Sequence, residues 1–172
     1  MPDAPEPRWL DESEQRVWIT FSQVLMRLPS ALESQMQRDT GIGHFEYLVL
    51  AALSMSPGRR LRLKDVARLS GSSLTRLSNV VTKFERAGLV RREVDPHDGR
   101  STFGVLTDAG MAVVEQAAPA HVEEVRRLVF DQLTPHQLAA LGDASRRILA
   151  VLDPTAPTGP QPSPVPDAQA PA

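Results

Sequence analysis

Apolar residues recur at helical spacing along most of the chain. Val17, Phe21, Val24, Leu25, Leu28, Leu32 and Met36 mark one face of a long helix from about Asp11 to Arg38. Pro29 falls inside that run and predicts a kink or a break into two helices. Phe45, Leu48, Val49, Ala52 and Leu53 mark a second helix, which the turn signal Ser56-Pro57-Gly58 ends. Near the other end, Thr107 can cap a helix carrying Val113, Val114, Ala117, Val125, Leu128 and Val129, with Pro119 as a kink. Thr134 opens one more: Pro135 stands at its first position, Gln137 completes a capping box, and Leu133 can staple to Leu138. That helix should end near Asp153-Pro154.

The middle of the chain changes rhythm. In KDVARLSGSSLTRLSNVVTKFERA (Lys64 to Ala87), the apolar positions Val66, Ala67 and Leu69 stop at Gly71 and resume as Leu74, Leu77, Val80, Val81 and Phe84. Two short helices joined by a tight turn need a small residue at their crossing, a residue tolerant of positive φ in the turn, and an apolar lock. Ala67, Gly71 and Leu77 have that spacing, which predicts a helix-turn-helix. Ser72 or Ser73 can cap the second helix and Gly88 can stop it. Its polar face carries Thr75, Arg76, Asn79 and Lys83, with Ser73 and Ser78 at the edges and no acidic residue before Glu85. Short and forked polar groups of this kind suit base edges and phosphates in a major groove.

Two β-compatible runs follow, Leu89–Val94 and Ser101–Leu106, around the hairpin-favouring pair Asp98-Gly99. A hairpin directly after such a helix is a wing. Arg100, near its tip, can enter a minor groove, and Asp98 is placed to orient the guanidinium.

Charge sharpens this picture. The 172 residues carry a net charge of −2, but Arg59 to Arg100 holds 11 Lys or Arg against 5 Asp or Glu. That segment is +6 and the remainder −8, the footprint of a polyanion-binding lobe in an acidic protein. There is no cysteine, which removes disulfides, thiolate ligands and cysteine nucleophiles. No apolar run approaches 18 residues and Met1–Leu10 lacks a signal pattern, so a soluble, cytoplasmic, nucleoid-associated protein with no membrane partner is expected. The first ten residues have three prolines and the last 19 have seven, composition that suits a loose arm and a disordered tail. The two long amphipathic end segments would leave wet apolar stripes on a monomer, and this predicts pairing with a second copy.

Over LKDVARLSGSSLTRLSNVVTKFERAGLVRREVDPHDGRSTFGVLTDAG, the order and spacing of recognition helix, AGLVRR transition, DPHDGR wing and LTDAG helix entry resemble the MarR family of bacterial transcriptional regulators. The resemblance runs from about Trp18 to Leu152. It implies a mainly α fold with a small β-hairpin wing: a winged helix-turn-helix lobe (41–107) between an N-terminal dimerisation helix (11–40) and C-terminal dimerisation helices (108–153), flanked by the arm at 1–10 and the Pro-rich tail at 154–172 that composition gives. It also implies a homodimer on a pseudo-palindromic double-stranded operator, usually a repressor released by a small-molecule inducer. By position, Ser72, Ser73, Thr75, Arg76 and Asn79 would meet bases or nearby phosphates. Lys83 would sit by the backbone, and Arg100, held by Asp98, would enter the minor groove. An inducer would lie near Trp18, Phe21, Met36, His44 and Phe45, with Tyr47 in the same region. Three positions depart from the family pattern: Lys64 where a Ser or Thr commonly caps, Gly99 where a second arginine is frequent, and Pro29.

Two other classes compete with this one. An enzyme lacks support, since no Gly-rich phosphate loop, HExxH, GxSxG or paired carboxylates occur, and no cofactor is implied. A metal-responsive regulator would draw on the scattered His44, His97, His121 and His136 with nearby carboxylates; no specific metal-binding residue is assigned.

Overall fold

In the computed structural model the described residues are 6–155, with the Arg100 side chain excepted. Residues 1–5 of the arm expected at 1–10 and residues 156–172 of the tail expected at 154–172 therefore lie outside the described residues.

Asp11 sets the start of the first helix, α1 (Glu12–Thr40), by accepting from the Ser13 and Glu14 backbone N–H groups at 2.7 and 2.8 Å while Glu14 reaches back to the Asp11 N–H. Of the kink or break expected at Pro29, the break does not occur: α1 runs through it as one element. The proline removes the backbone bond to Leu25, and both residues are exposed, so water can take the vacated carbonyl. After a short link, α2 (His44–Ser54) buries Tyr47, Val49, Leu50 and Leu53. A 3-10 turn at Pro57–Arg59 leads to β1 (Arg60–Arg62), a strand too short to show in the apolar pattern.

Next come α3 (Leu63–Leu69) and α4 (Leu74–Arg86), then β2 (Val90–Asp95) and β3 (Asp98–Leu106). The sheet is antiparallel in the order β1-β3-β2, with Leu61 opposite Gly104 and Val90 opposite Leu106. One core joins these parts. Met36 of α1, the buried face of α2, Val66 and Ala67, Leu77, Val81 and Phe84, and the strand residues Val90 and Leu106 pack together with Val114 and Ala117.

Those last two belong to α5 (Asp108–Leu128), which continues through Pro119. Its entry explains the LTDAG segment. Thr107 caps α5 through the Gly110 N–H and donates its hydroxyl to the Gly88 and Leu89 carbonyls at 2.7 and 3.0 Å. A Cβ at Gly110 would sit 2.2 Å from the Leu89 carbonyl oxygen, so only glycine lets the helix approach this closely.

Finally, α6 (Pro135–Leu152) starts on the Thr134–Gln137 capping box and buries no residue. Leu138, Leu141, Ile148, Leu149 and Leu152 stand exposed on it, as do Val17, Trp18, Ile19, Val24 and Leu25 on α1. Both end helices thus present apolar surface that the single chain does not cover. No described helix is long and apolar enough to cross a membrane.

Candidate nucleic-acid interface

The turn between α3 and α4 is built as its residues require. Ala67 is buried where the helices meet, Gly71 has φ +60°, and the Ser72 N–H donates to the Ala67 carbonyl at 2.9 Å. Of the two candidate serines, Ser73 caps α4, accepting from the Arg76 N–H at 3.2 Å; the Ser72 hydroxyl donates to the Ser73 carbonyl. No side chain caps α3: its N-cap position is Arg62, and Lys64, expected where a hydroxyl commonly caps, is the second residue of the helix.

Leu77, Val81 and Phe84 pin α4 to the core. Thr75, Arg76, Ser78, Asn79 and Lys83 all lie exposed on its other side. Leu74 differs from its expected place on the buried face. It is 57% exposed at the start of α4, lining a shallow groove with Arg62, Lys64, Ser78, Ser101 and Thr102.

The wing is fixed to this helix by Arg92, whose role the linear pattern did not show. Its guanidinium pairs with Glu85 and also donates to the Ser78 carbonyl at 3.0 Å and the Thr82 hydroxyl at 3.1 Å. The Arg92 backbone N–H donates to the same Glu85 at 3.1 Å. A second basic layer lies on the sheet. Arg60 sits 3.5 Å from the Phe103 ring centroid and pairs with Glu93, while Arg62 pairs with Asp95 at 2.7 Å.

The hairpin turn lies two residues before the position expected for it. Asp95 pairs with Asp98 across the strands, so Pro96 and His97 form the turn and Asp98-Gly99 begins β3. Asp95 imposes this by accepting from the His97 N–H at 2.9 Å while Pro96 supplies a preset φ. The same His97 N–H, followed by the Arg62 hydrogen bond, holds the Asp95 carboxyl below its ordinary range. Asp98 accepts from the Ser101 hydroxyl at 2.7 Å. Arg100 lies on β3, but its side chain, and so its expected pairing with Asp98, is outside the described residues.

The residues expected around an inducer do not gather in one place. Trp18 and Met36 are 18 positions apart on one helix, about 27 Å by helical rise, so they cannot line one small pocket in the same chain. Met36 is wholly buried in the core, and Trp18 is on the exposed apolar face. Phe21 and Phe45 are half-buried, and Phe45 lies 4.1 Å beneath the Arg76 guanidinium.

His44 instead meets two residues that only the fold brings near. Its ring is 5.3 Å from that of His121 on α5, and Tyr47 is 4.7 Å from the same imidazole. Burial lowers the affinity of both imidazoles for a proton, with Glu33 partly opposing this at His44 and His44 reinforcing it at His121. Burial also raises the Tyr47 phenol. The His121 Nδ1 is buried without a hydrogen-bond partner. His97 and His136 lie elsewhere, on the wing turn and on α6. Among the described residues, no group of three or more His, Asp or Glu is placed to hold a metal ion.

Comparison with known proteins agrees with this architecture. The model of the MarR family matches residues 40–101. The crystal structure of Sco3205, a MarR family transcriptional regulator from Streptomyces coelicolor in complex with DNA, is 41% identical, with a TM-score of 0.81 over 91% of this chain and 98% of that one. The chain belongs to the MarR family. AbsC, a MarR family regulator from the same organism, is 38% identical, with a TM-score of 0.79 over 87% of this chain and all of the other. The uncharacterized regulator YkoM of Bacillus subtilis is 38% identical over 101 residues, 58% of this MarR-family chain and 63% of YkoM. The winged helix-turn-helix is therefore that of a transcriptional regulator.

Proposed function

We infer that this regulator binds a specific double-stranded DNA operator as a homodimer, and that it represses by occluding a promoter until a small ligand releases it. The observation that carries this is the joining of an outward polar helix face to the wing. Arg92 and Glu85 lock the hairpin to α4, so a helix placed in a major groove brings the wing to the adjacent minor groove. The complex of Sco3205 with DNA supports the same use of this fold.

Ser72, Ser73, Thr75, Arg76 and Asn79 are the residues assigned to bases and nearby phosphates, Lys83 to the backbone, and Arg100 with Asp98 to the minor groove. The exposed apolar faces of α1 and α6 fit a two-fold partner, and two recognition helices would then reach half-sites about one helical turn apart. The half-buried contact of His44, Tyr47 and His121 is the place favoured for a ligand, because it lies where α2 of the reading lobe touches α5. Catalysis has no place in this reading, and the working compartment is the cytoplasm beside the nucleoid.

Fluorescence anisotropy tests it directly, with the upstream intergenic duplex and a shuffled control titrated at several salt concentrations. The expected result is a preference of about a thousandfold for the upstream duplex, a steep salt slope, and a clear loss in Arg100→Ala. Equal weak binding to both duplexes, unchanged by Arg100→Ala, would overturn the reading.

A further inference from the structure

The first turn of α2 faces two ways. His44 and Tyr47 meet His121 of α5, whereas Phe45 and Glu46, between them in sequence, reach α4. Arg76 lies over the Phe45 ring, and the Lys83 ammonium is 2.6 Å from Glu46 Oε1. Arg76 and Lys83 are seven residues apart, about two helical turns, and so share one face of α4. It is the face assigned above to DNA. Two of its cations are therefore already engaged by α2 in the free protein.

The Glu46–Lys83 pair is lopsided. Glu46 is only 17% exposed at its side chain, and its second oxygen accepts the Gly43 N–H at 3.2 Å, closing the cap of α2. The Lys83 side chain is 60% exposed on a flexible four-carbon stem. Its ammonium can leave while the carboxylate cannot follow. This sets the pair apart from Arg92–Glu85, in which the cation is itself mostly buried and is held by the Ser78 carbonyl and the Thr82 hydroxyl as well.

We propose that Glu46 is a positioning residue that competes with DNA phosphate for Lys83. In the free protein it holds the ammonium; in the complex a phosphate oxygen takes its place. The exchange replaces one oxyanion by another, so binding gains less than a full new phosphate contact. Phosphate contacts carry no sequence information. Glu46 thus trims affinity for every duplex and leaves a larger share of binding to the base contacts. This inference rests on the reading of α4 as the DNA-facing helix.

The test is Glu46→Gln, which keeps an acceptor for the Gly43 N–H and removes the charge. Wild type, E46Q, Lys83→Met and the double variant would be titrated against the upstream duplex and a shuffled duplex of about 30 base pairs, long enough for two half-sites. Thermal unfolding confirms that each variant folds. E46Q should bind both duplexes about two- to fivefold more tightly at low salt, the range of a surface ion pair, and the gain should shrink as salt rises. In the Lys83→Met background the gain should vanish, which neither loss of a helix cap nor a general change of protein charge would produce. A gain that persists without Lys83, or an E46Q protein that binds like wild type, overturns the proposal while leaving DNA binding intact. A wild type that binds neither duplex overturns the DNA reading and this inference with it.

Discussion

Replacing Gly110 by alanine pits two ordinary effects against each other. Gly110 lies inside α5 without a positive φ, so the backbone admits alanine, and helix propensity alone predicts a gain of up to about 1 kcal/mol. The surroundings predict the reverse. The new Cβ would stand 2.2 Å from the Leu89 carbonyl oxygen and 2.6 Å from Leu106 Cδ1. A leucine methyl can turn aside, but the carbonyl is fixed backbone that accepts the Thr107 N–H at 3.0 Å. Relief therefore requires α5 to retreat from the Gly88-Leu89 turn, weakening the Thr107 bonds. Overpacking costs about 1–3 kcal/mol, and a rigid obstacle places this site near the top of that range. The net expectation is a loss of about 2 kcal/mol, or about 4–8 °C in melting temperature for a chain of this size. Circular dichroism melts at matched protein concentration measure it, since an associating protein melts in a concentration-dependent way. A G110A protein as stable as wild type, or more so, would refute the close-approach argument and leave helix propensity in charge.

Other consequences are more local. Arg92→Met should cost about 1–2 kcal/mol by leaving Glu85 with only the residue 92 backbone N–H, and should weaken operator binding beyond that of a surface arginine variant, as read by chemical denaturation and anisotropy together. The Asp95 carboxyl titrates lower in the folded chain than in the unfolded one, so its stabilisation is present above the ordinary carboxylate range and lost as pH falls through the folded value. Asp95→Asn should flatten that acid limb in denaturation midpoints taken across the carboxylate range, and an unchanged limb would count against the turn geometry. His44 and His121 also titrate lower when folded, so stability should fall as pH drops below about 6.5, where the unfolded imidazoles gain protons first. His121→Phe should reduce this slope in melts across the range from neutral to mildly acid pH. Leu141→Glu with Ile148→Glu should shift sedimentation toward a monomer, because both residues lie on the uncovered face of α6.

Much of the fold was legible because short-range chemistry and long-range packing agree over most of the chain. Thr107, Ser73 and Thr134 cap the helices that their spacing announces, and Gly71 turns where a positive φ is needed. The missed features are those in which one local rule competes with another or a distant partner decides. Asp98-Gly99 favours a hairpin turn by composition, but Asp95 and Pro96 close the turn first. Pro29 allowed either a kink or a break; the helix continues, its lost hydrogen bond falling where water can replace it. Leu74 has the period of the buried face and still emerges, because as the first residue of α4 it opens onto the groove shared with Ser101 and Thr102 rather than onto the core. For the candidate site, the polar face of α4 could be read by counting, whereas Glu46–Lys83 spans 37 positions and His44–His121 spans 77. No periodicity encodes such pairs.

Among the joints between the reading lobe and the end helices, two differ in stiffness, and this bears on how a ligand could act. At the start of α5, Thr107 and Gly110 bind the helix to the Gly88-Leu89 turn through backbone carbonyls, with no room for another carbon. A shift of α5 there must carry the wing base with it. At the first turn of α2 the joint is made of side chains: two tilted imidazoles and a phenol on one side, a ring under a guanidinium and an exposed lysine on the other. Side-chain contacts of this kind can rearrange at much lower cost than a backbone joint. A ligand wedged between His44 and His121 would therefore move the α2 turn before it moved the wing. The first thing altered at the face of α4 proposed for DNA would be the hold of Phe45 and Glu46 on Arg76 and Lys83, and only larger displacements would change the spacing of paired α4 helices.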